Sequence, residues 1–166
     1  MELKLQTSKE YFRSLMIVHA ALLAGQVIFL FISFFLNASG LIIADSGDLD
    51  RIFTIVVPLF VLAGITTSLV LTKTRLTQIR EKGSLNEKLT EYRSAFIVKL
   101  ALLEGPSFLA IVCYLLTANL LFLGLSVFMI VLFFINRPTR EKVSAELELH
   151  QHDIDLIDKP DSVITD

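Results

Sequence analysis

Four long stretches of the chain are almost free of charged residues. A helix needs about 20 apolar residues to cross a hydrocarbon core of roughly 30 Å, and three of the stretches reach that length. The fourth stretch reaches this length when the polar residues at its two ends are included and lie at the membrane–water interfaces. None of them has the polar face that a helix of a soluble bundle shows. The pattern therefore predicts an all-α membrane protein with four transmembrane helices, at about 13–36, 52–72, 94–117 and 118–136.

Part of the first half of the chain recurs in the second half. FRSLMIVHAALLAG at 12–25 aligns with YRSAFIVKLALLEG at 92–105, and eight of the fourteen positions are identical at an offset of 80. Matches of Leu and Ala arise easily by chance in apolar segments, but matches of the Arg-Ser pair and of the final Gly do not. The repeat predicts that the four helices form two tandem, related hairpins.

Basic residues lie mostly on one side of this predicted topology. Thirteen of the fifteen Lys and Arg fall in the N-terminal segment, the connection 73–93 and the tail after 136. Loops rich in Lys and Arg stay in the cytoplasm. The sequence thus predicts a multi-pass protein of the inner (plasma) membrane with both termini cytoplasmic and the connection 37–51 outside. Arg13, Arg93 and Lys99 are the predicted interfacial anchors.

The chain divides into a transmembrane domain, 1–136, and a cytoplasmic tail, 137–166. Thr139 is a suitable N-cap for a short amphipathic helix, REKVSAELELH, in which Val143 and Leu147 share a face. That helix is expected on the membrane, against a loop or in solvent. The Asp-rich end from 150 is predicted to be disordered. His150 and His152 alone do not form the closed ligand set of a metal site, so neither metal nor other cofactor is expected.

Ionisable residues inside a membrane span are rare and often functional. Glu104 lies eleven residues after Arg93, which is ~16 Å along a helix and near the bilayer midplane. We expect its carboxyl group to be neutral there. Lys99 lies six residues after Arg93, which is ~9 Å along the helix, so its side chain can extend back to the lipid headgroups. Since Lys99 and Glu104 are about 140° apart around the helix, an ion pair between them is not expected.

Other polar or helix-breaking residues accompany Glu104. Ser107 shares its helix face, and Pro106 leaves a backbone carbonyl without a donor. On the first helix, His19, Gln26 and Ser33 are seven residues apart and form one stripe. The predicted intramembrane polar site comprises Glu104, Ser107, Pro106, His19 and Gln26. The alternative is that such residues serve only close helix packing.

The segment LALLEGPSFLAIVCYLL, the short turn after it, the fourth apolar stretch and the RPTREK tail resemble small bacterial four-helix integral membrane proteins of uncharacterised activity. The resemblance covers most of the chain. It implies a four-helix membrane fold and carries no activity over.

The sequence contains no recognisable catalytic motif. No Ser-His-Asp set, metal-binding His motif or phosphate-binding Gly loop can be assembled, and Cys113 is the one cysteine. We therefore expect a small structural, accessory or self-associating membrane subunit and not an enzyme. The alternative is a proton- or ion-coupled transporter or channel component that uses Glu104. Expected partners are the lipid bilayer and a homo-oligomer or a larger membrane complex, with no nucleic acid.

Overall fold

The computed structural model describes residues 6–41 and 47–164, so residues 42–46 of the predicted external connection lie outside it. The predicted all-helical class is confirmed: these ranges contain helices and no strand, apart from one isolated antiparallel bridge between Thr7 and Val163. Six helices follow one another: α1 Ser8–Ala38, α2 Asp48–Arg80, α3 Leu85–Thr117, α4 Leu120–Ile135, α5 Arg140–Leu147 and α6 Gln151–Asp158.

Three helices, α1 to α3, are long and apolar enough to cross a membrane. With 31 to 33 residues each, they are ~46–50 Å long and exceed a hydrocarbon core of about 30 Å. Helix α4 has 16 residues and is ~24 Å long. The chain bends by 81° between α4 and α5, so the pair gives a fourth candidate span only when taken together. Large exposed side chains such as Phe31 and Leu59, on α1 and α2, suit contact with lipid.

Helix ends are fixed by side chains that satisfy free backbone N–H groups. Thr7 and Glu10 form a complete capping box at the start of α1. Ser84 accepts from the Glu87 N–H at the start of α3, and Thr139 caps α5 as its sequence context predicted. Between α3 and α4, Ala118 takes a left-handed conformation with φ 53°.

Helix α3 is the centre of the bundle and packs against α1, α2 and α4. The contacts between α1 and α3 join residues of nearly constant separation: Tyr11 Oη donates to Leu89 O, 78 residues on, and Asn37 Nδ2 donates to Tyr114 O, 77 residues on. A constant separation means that the two helices run parallel and in a fixed register. Each residue of α1 therefore lies at the same height in the bundle as the residue of α3 about 78 positions later.

Helices α2 and α3 approach one another closely at Gly64. A Cβ atom added there would lie 3.0 Å from the carbonyl oxygen of Leu102 and would overlap the ring of Pro106. Only a glycine allows this separation, since the carbonyl is part of the helix backbone. Pro106 thus faces α2.

The predicted disorder after residue 150 is wrong for the described part of the tail. Residues 151–158 form α6, and Ile157 is fully buried. The Ser8 N–H donates to Ser162 O and the Lys9 N–H donates to Pro160 O, both at 3.0 Å. The tail therefore satisfies donors that the first turn of α1 would otherwise leave free, and this tertiary contact orders an acidic segment.

The short helix α5 packs against the protein. Val143 and Leu147, the apolar pair predicted from the sequence, are fully buried. The helix contacts α2 and α6. The contact with α2 is at the end of that helix, around Arg80, a part of the chain that the sequence had assigned to the connection 73–93.

Candidate functional site

The polar stripe of α1 forms its buried face. His19, Gln26 and Ser33 are 3%, 0% and 0% exposed. The His19 Nε2–H group donates to the carbonyl oxygen of Phe133 at 2.9 Å, and its ring stacks on that of Phe133, with centroids 5.1 Å apart. His19 therefore joins α1 to α4, which is the packing role that the alternative interpretation gave it.

Gln26 and Ser107 are buried without hydrogen-bond partners in the described part of the chain. Both amide atoms of Gln26 and the hydroxyl of Ser107 are unsatisfied. Because α1 contacts α3 at separations of 77 to 79 residues, Gln26 lies level with 103–105, within about one helical turn of Ser107. An unsatisfied buried polar group costs about 1–3 kcal/mol. The core thus keeps a polar layer at a depth where apolar residues would be more stable.

Glu104 lies between the buried face of α3, which carries Ser107, and the exposed face, which carries Ala101 and Gly105. It is half-buried, and it has neither a hydrogen bond nor an ion pair with a described residue. The neighbouring Ala101 and Gly105 are exposed, and the space next to Gly105 is open. By the α1–α3 register, His19 lies seven residues, or ~10 Å, away in depth. The structure does not bring His19 to Glu104.

The predicted polar site is therefore divided among three places. His19, Gln26 and Ser107 lie inside the bundle, Pro106 lies against α2, and Glu104 is half-buried at the edge of the exposed face of α3. The three predicted interfacial anchors also have three different environments. Arg13 is exposed, Arg93 donates to Ser14 Oγ at 2.5 Å, and Lys99 is buried beside Glu146.

Sequence reasoning missed the surroundings of Lys99. Its ammonium nitrogen lies 3.7 Å from Glu146 Oε1, on α5. Tyr92 Oη donates to Glu146 Oε2 at 2.7 Å, and Arg80 Nε donates to the Glu146 backbone oxygen at 3.0 Å. These four residues, with Lys142, are called the Glu146 cluster below. The cluster joins α5 to the ends of α2 and α3.

The Glu146 cluster contains a neutral tyrosine and more positive than negative charge. Burial, and after it the adjacent carboxylate of Glu146, raise the pKa of Tyr92, so its hydroxyl keeps the proton that it donates. Burial, and after it the charge of Lys99, lower the pKa of Lys142, with Glu146 acting in the opposite direction. The nearby carboxylate thus offsets only part of the repulsion between the two lysines.

Glu146 lies directly before Leu147 in the predicted amphipathic helix, at the border of its apolar face. That position is the one signal in the sequence that this carboxylate contacts the protein. Nothing in a single sequence pairs Glu146 with Lys99, 47 positions earlier, because the pairing depends on the bend between α4 and α5.

No protein-family model, curated protein or solved structure matches this chain. Two features of the described residues remain as indications of function. One is the half-buried carboxyl group of Glu104, which has no partner among these residues, and the other is the positively charged surroundings of Lys99.

Proposed function

We propose that this chain is a small accessory subunit of the inner membrane that associates with itself through the outer face of α3. The observation that carries the proposal is the exposed pair Ala101 and Gly105 next to Glu104, whose half-buried carboxyl group has no partner among the described residues. A second copy of the chain is the partner that supplies the missing hydrogen bonds.

The neighbours of Glu104 suit a close helix–helix contact. Ala101 and Gly105 are four residues apart, and small residues at this spacing let two helix backbones approach closely in lipid. In a dimer with twofold symmetry the same patch contacts itself, which brings the two Glu104 side chains together. Two protonated carboxyl groups can donate a hydrogen bond to one another, whereas two carboxylates would repel.

Variants of Glu104 and Gly105 test this contact by energy transfer between labelled copies in lipid vesicles. Glu104→Leu should weaken self-association about fivefold, for the loss of about 1 kcal/mol of interhelical hydrogen bonding. Glu104→Gln retains donors and acceptors and should change it less than about twofold. Gly105→Leu should weaken it more than about tenfold, because the backbones can no longer approach.

Gly124→Leu on α4 is the matched control for Gly105→Leu, because the space next to Gly124 is also open. It should leave self-association unchanged. Equal energy transfer in the wild type and in Gly105→Leu would refute an interface on α3.

The proposal includes the topology predicted from charge, with both termini cytoplasmic and two tandem hairpins. Parallel α1 and α3 support it, because two hairpins that enter the membrane from the same side give parallel first helices. The Glu146 cluster and the ordered tail then lie on the cytoplasmic side, together with most of the Lys and Arg residues.

Cysteine labelling in intact cells tests the topology, in a background where Cys113 is replaced by alanine. Asp48→Cys, at the start of α2, should react with a membrane-impermeant maleimide added outside. Gly83→Cys, between α2 and α3, should react only after the cells are opened. Reaction of both positions from the same side would exclude this arrangement.

A second candidate function is proton- or ion-coupled transport that uses Glu104. The unsatisfied Gln26 and Ser107 at the same depth favour it, because polar layers inside membrane bundles mark ion and proton pathways. Liposomes that contain a pH-sensitive dye distinguish the two functions. A flux that Glu104→Gln abolishes supports transport, whereas the accessory role predicts no flux above that of empty liposomes.

A further inference from the structure

A cleft of about 250 Å³ lies between α2, α3 and α5, next to the Glu146 cluster. Three cations line it, Lys73, Arg80 and Lys99, against one carboxylate, that of Glu146. Its wall also contains the hydroxyl side chains of two threonines and the apolar side chains of Leu69 and Leu76. The cleft therefore combines positive charge with an apolar wall.

Lys99 is the most unusual of these cations. It is 8% exposed, and its distance of 3.7 Å to Glu146 is that of an ion pair and not of a hydrogen bond. Its three ammonium donors have no hydrogen-bond acceptor among the described residues. A buried ammonium group in this state is costly unless an acceptor enters the cleft.

The rest of the lining leaves a positive excess. Glu146 is already engaged, since Tyr92 donates to one of its oxygens. Arg80 pairs with Glu148 at 2.6 Å. Lys73 is exposed on α2, and its side chain has no partner among the described residues. Lys73 and Lys99 are thus the two cations at the cleft whose side chains donate no hydrogen bond to a described residue.

We propose that this cleft binds a phosphate group and that the phosphate belongs to an anionic phospholipid. Phosphate carries several acceptor oxygens, which match the free donors of Lys73 and Lys99. Leu69, 61% exposed on α2, provides an apolar wall along which an acyl chain extends. Basic pockets between transmembrane helices are a known form of headgroup recognition. The inference goes beyond the proposed self-association and does not depend on it.

The test uses the full chain in detergent and native mass spectrometry of its complexes with a phosphatidylglycerol, with phosphatidylcholine as the zwitterionic comparison. The wild type should retain phosphatidylglycerol in preference. Lys73→Gln and Lys99→Gln should each weaken that binding about fivefold, the effect of one basic residue near an anionic lipid. Arg75→Gln removes the same charge from the exposed surface of α2, outside the cleft, and should change binding less than about twofold.

Lys99→Gln also removes the ion pair with Glu146, so Lys73→Gln, which breaks no contact, is the decisive variant. Inorganic phosphate is the second probe. If it competes at millimolar concentration and the lipid shows no preference, the source is free phosphate, and the lipid assignment is wrong. If Lys73→Gln and Arg75→Gln have the same effect, only general surface charge is involved, and the proposed site is excluded.

Discussion

Replacing Gly64 with alanine should lower the free energy of unfolding in detergent by about 1–3 kcal/mol, the usual cost of adding volume to a well-packed contact. The new Cβ atom would lie 3.0 Å from Leu102 O and would overlap the ring of Pro106. Neither group moves freely, because one is helix backbone and the other is a rigid ring. We expect α2 to separate from α3, and a titration with denaturing detergent, followed by helical circular dichroism, measures the loss.

Gly124→Ala is the control for this prediction. It is also a glycine inside a helix, but its added Cβ atom would have no neighbour within 4 Å. Alanine should stabilise that helix by about 0.5–1 kcal/mol. Equal effects of the two substitutions would show that the close approach of α2 and α3 is not a determinant of stability.

Replacing Ile157 with alanine should release the C-terminal segment from the start of α1. Ile157 is fully buried, and truncating such a side chain costs about 2–5 kcal/mol. The lost free energy should weaken only the contact between α6 and α1. Amide hydrogens of residues 151–158 should therefore exchange with solvent much faster, while the exchange rates of α3 should not change. Val163→Ala, in the same segment but 45% exposed, should have little effect. Slow exchange of α6 in the Ile157 variant would contradict the observed tail contact.

The sequence predicted the long apolar helices, three of which are candidate membrane spans, because long apolar runs leave a chain few alternatives. It also predicted the short helix after Thr139, whose cap and apolar pair are local signals. It failed at α6, where acidic residues suggested disorder and where Ile157 alone provides the buried anchor. The Ser8 hydroxyl donates to Ile157 O, and the first N–H groups of α1 donate to the backbone of the segment just after α6. These contacts span about 150 positions, and no local pattern contains them.

The residues predicted as one site do not come together in the structure. His19 and Gln26, seven residues apart, are both on the buried face of α1, and Lys99 pairs with Glu146 on α5. The sequence did not reveal that Ser107 is fully buried while Glu104 lies at the edge of the exposed face, because burial depends on which helices surround α3. The Glu146 cluster was missed for the same reason, since it forms across three helices.

Disulfide formation between copies in native membranes tests the proposed interface most directly. Ala101→Cys on α3 and Ile55→Cys on α2 are both exposed, and both variants carry Cys113→Ala. A disulfide needs Cα atoms within about 7 Å, so it forms only where two copies approach closely. The account predicts covalent dimers at Ala101→Cys under mild oxidation and none at Ile55→Cys. Absence of the Ala101→Cys dimer, or equal amounts at both positions, would contradict self-association through α3.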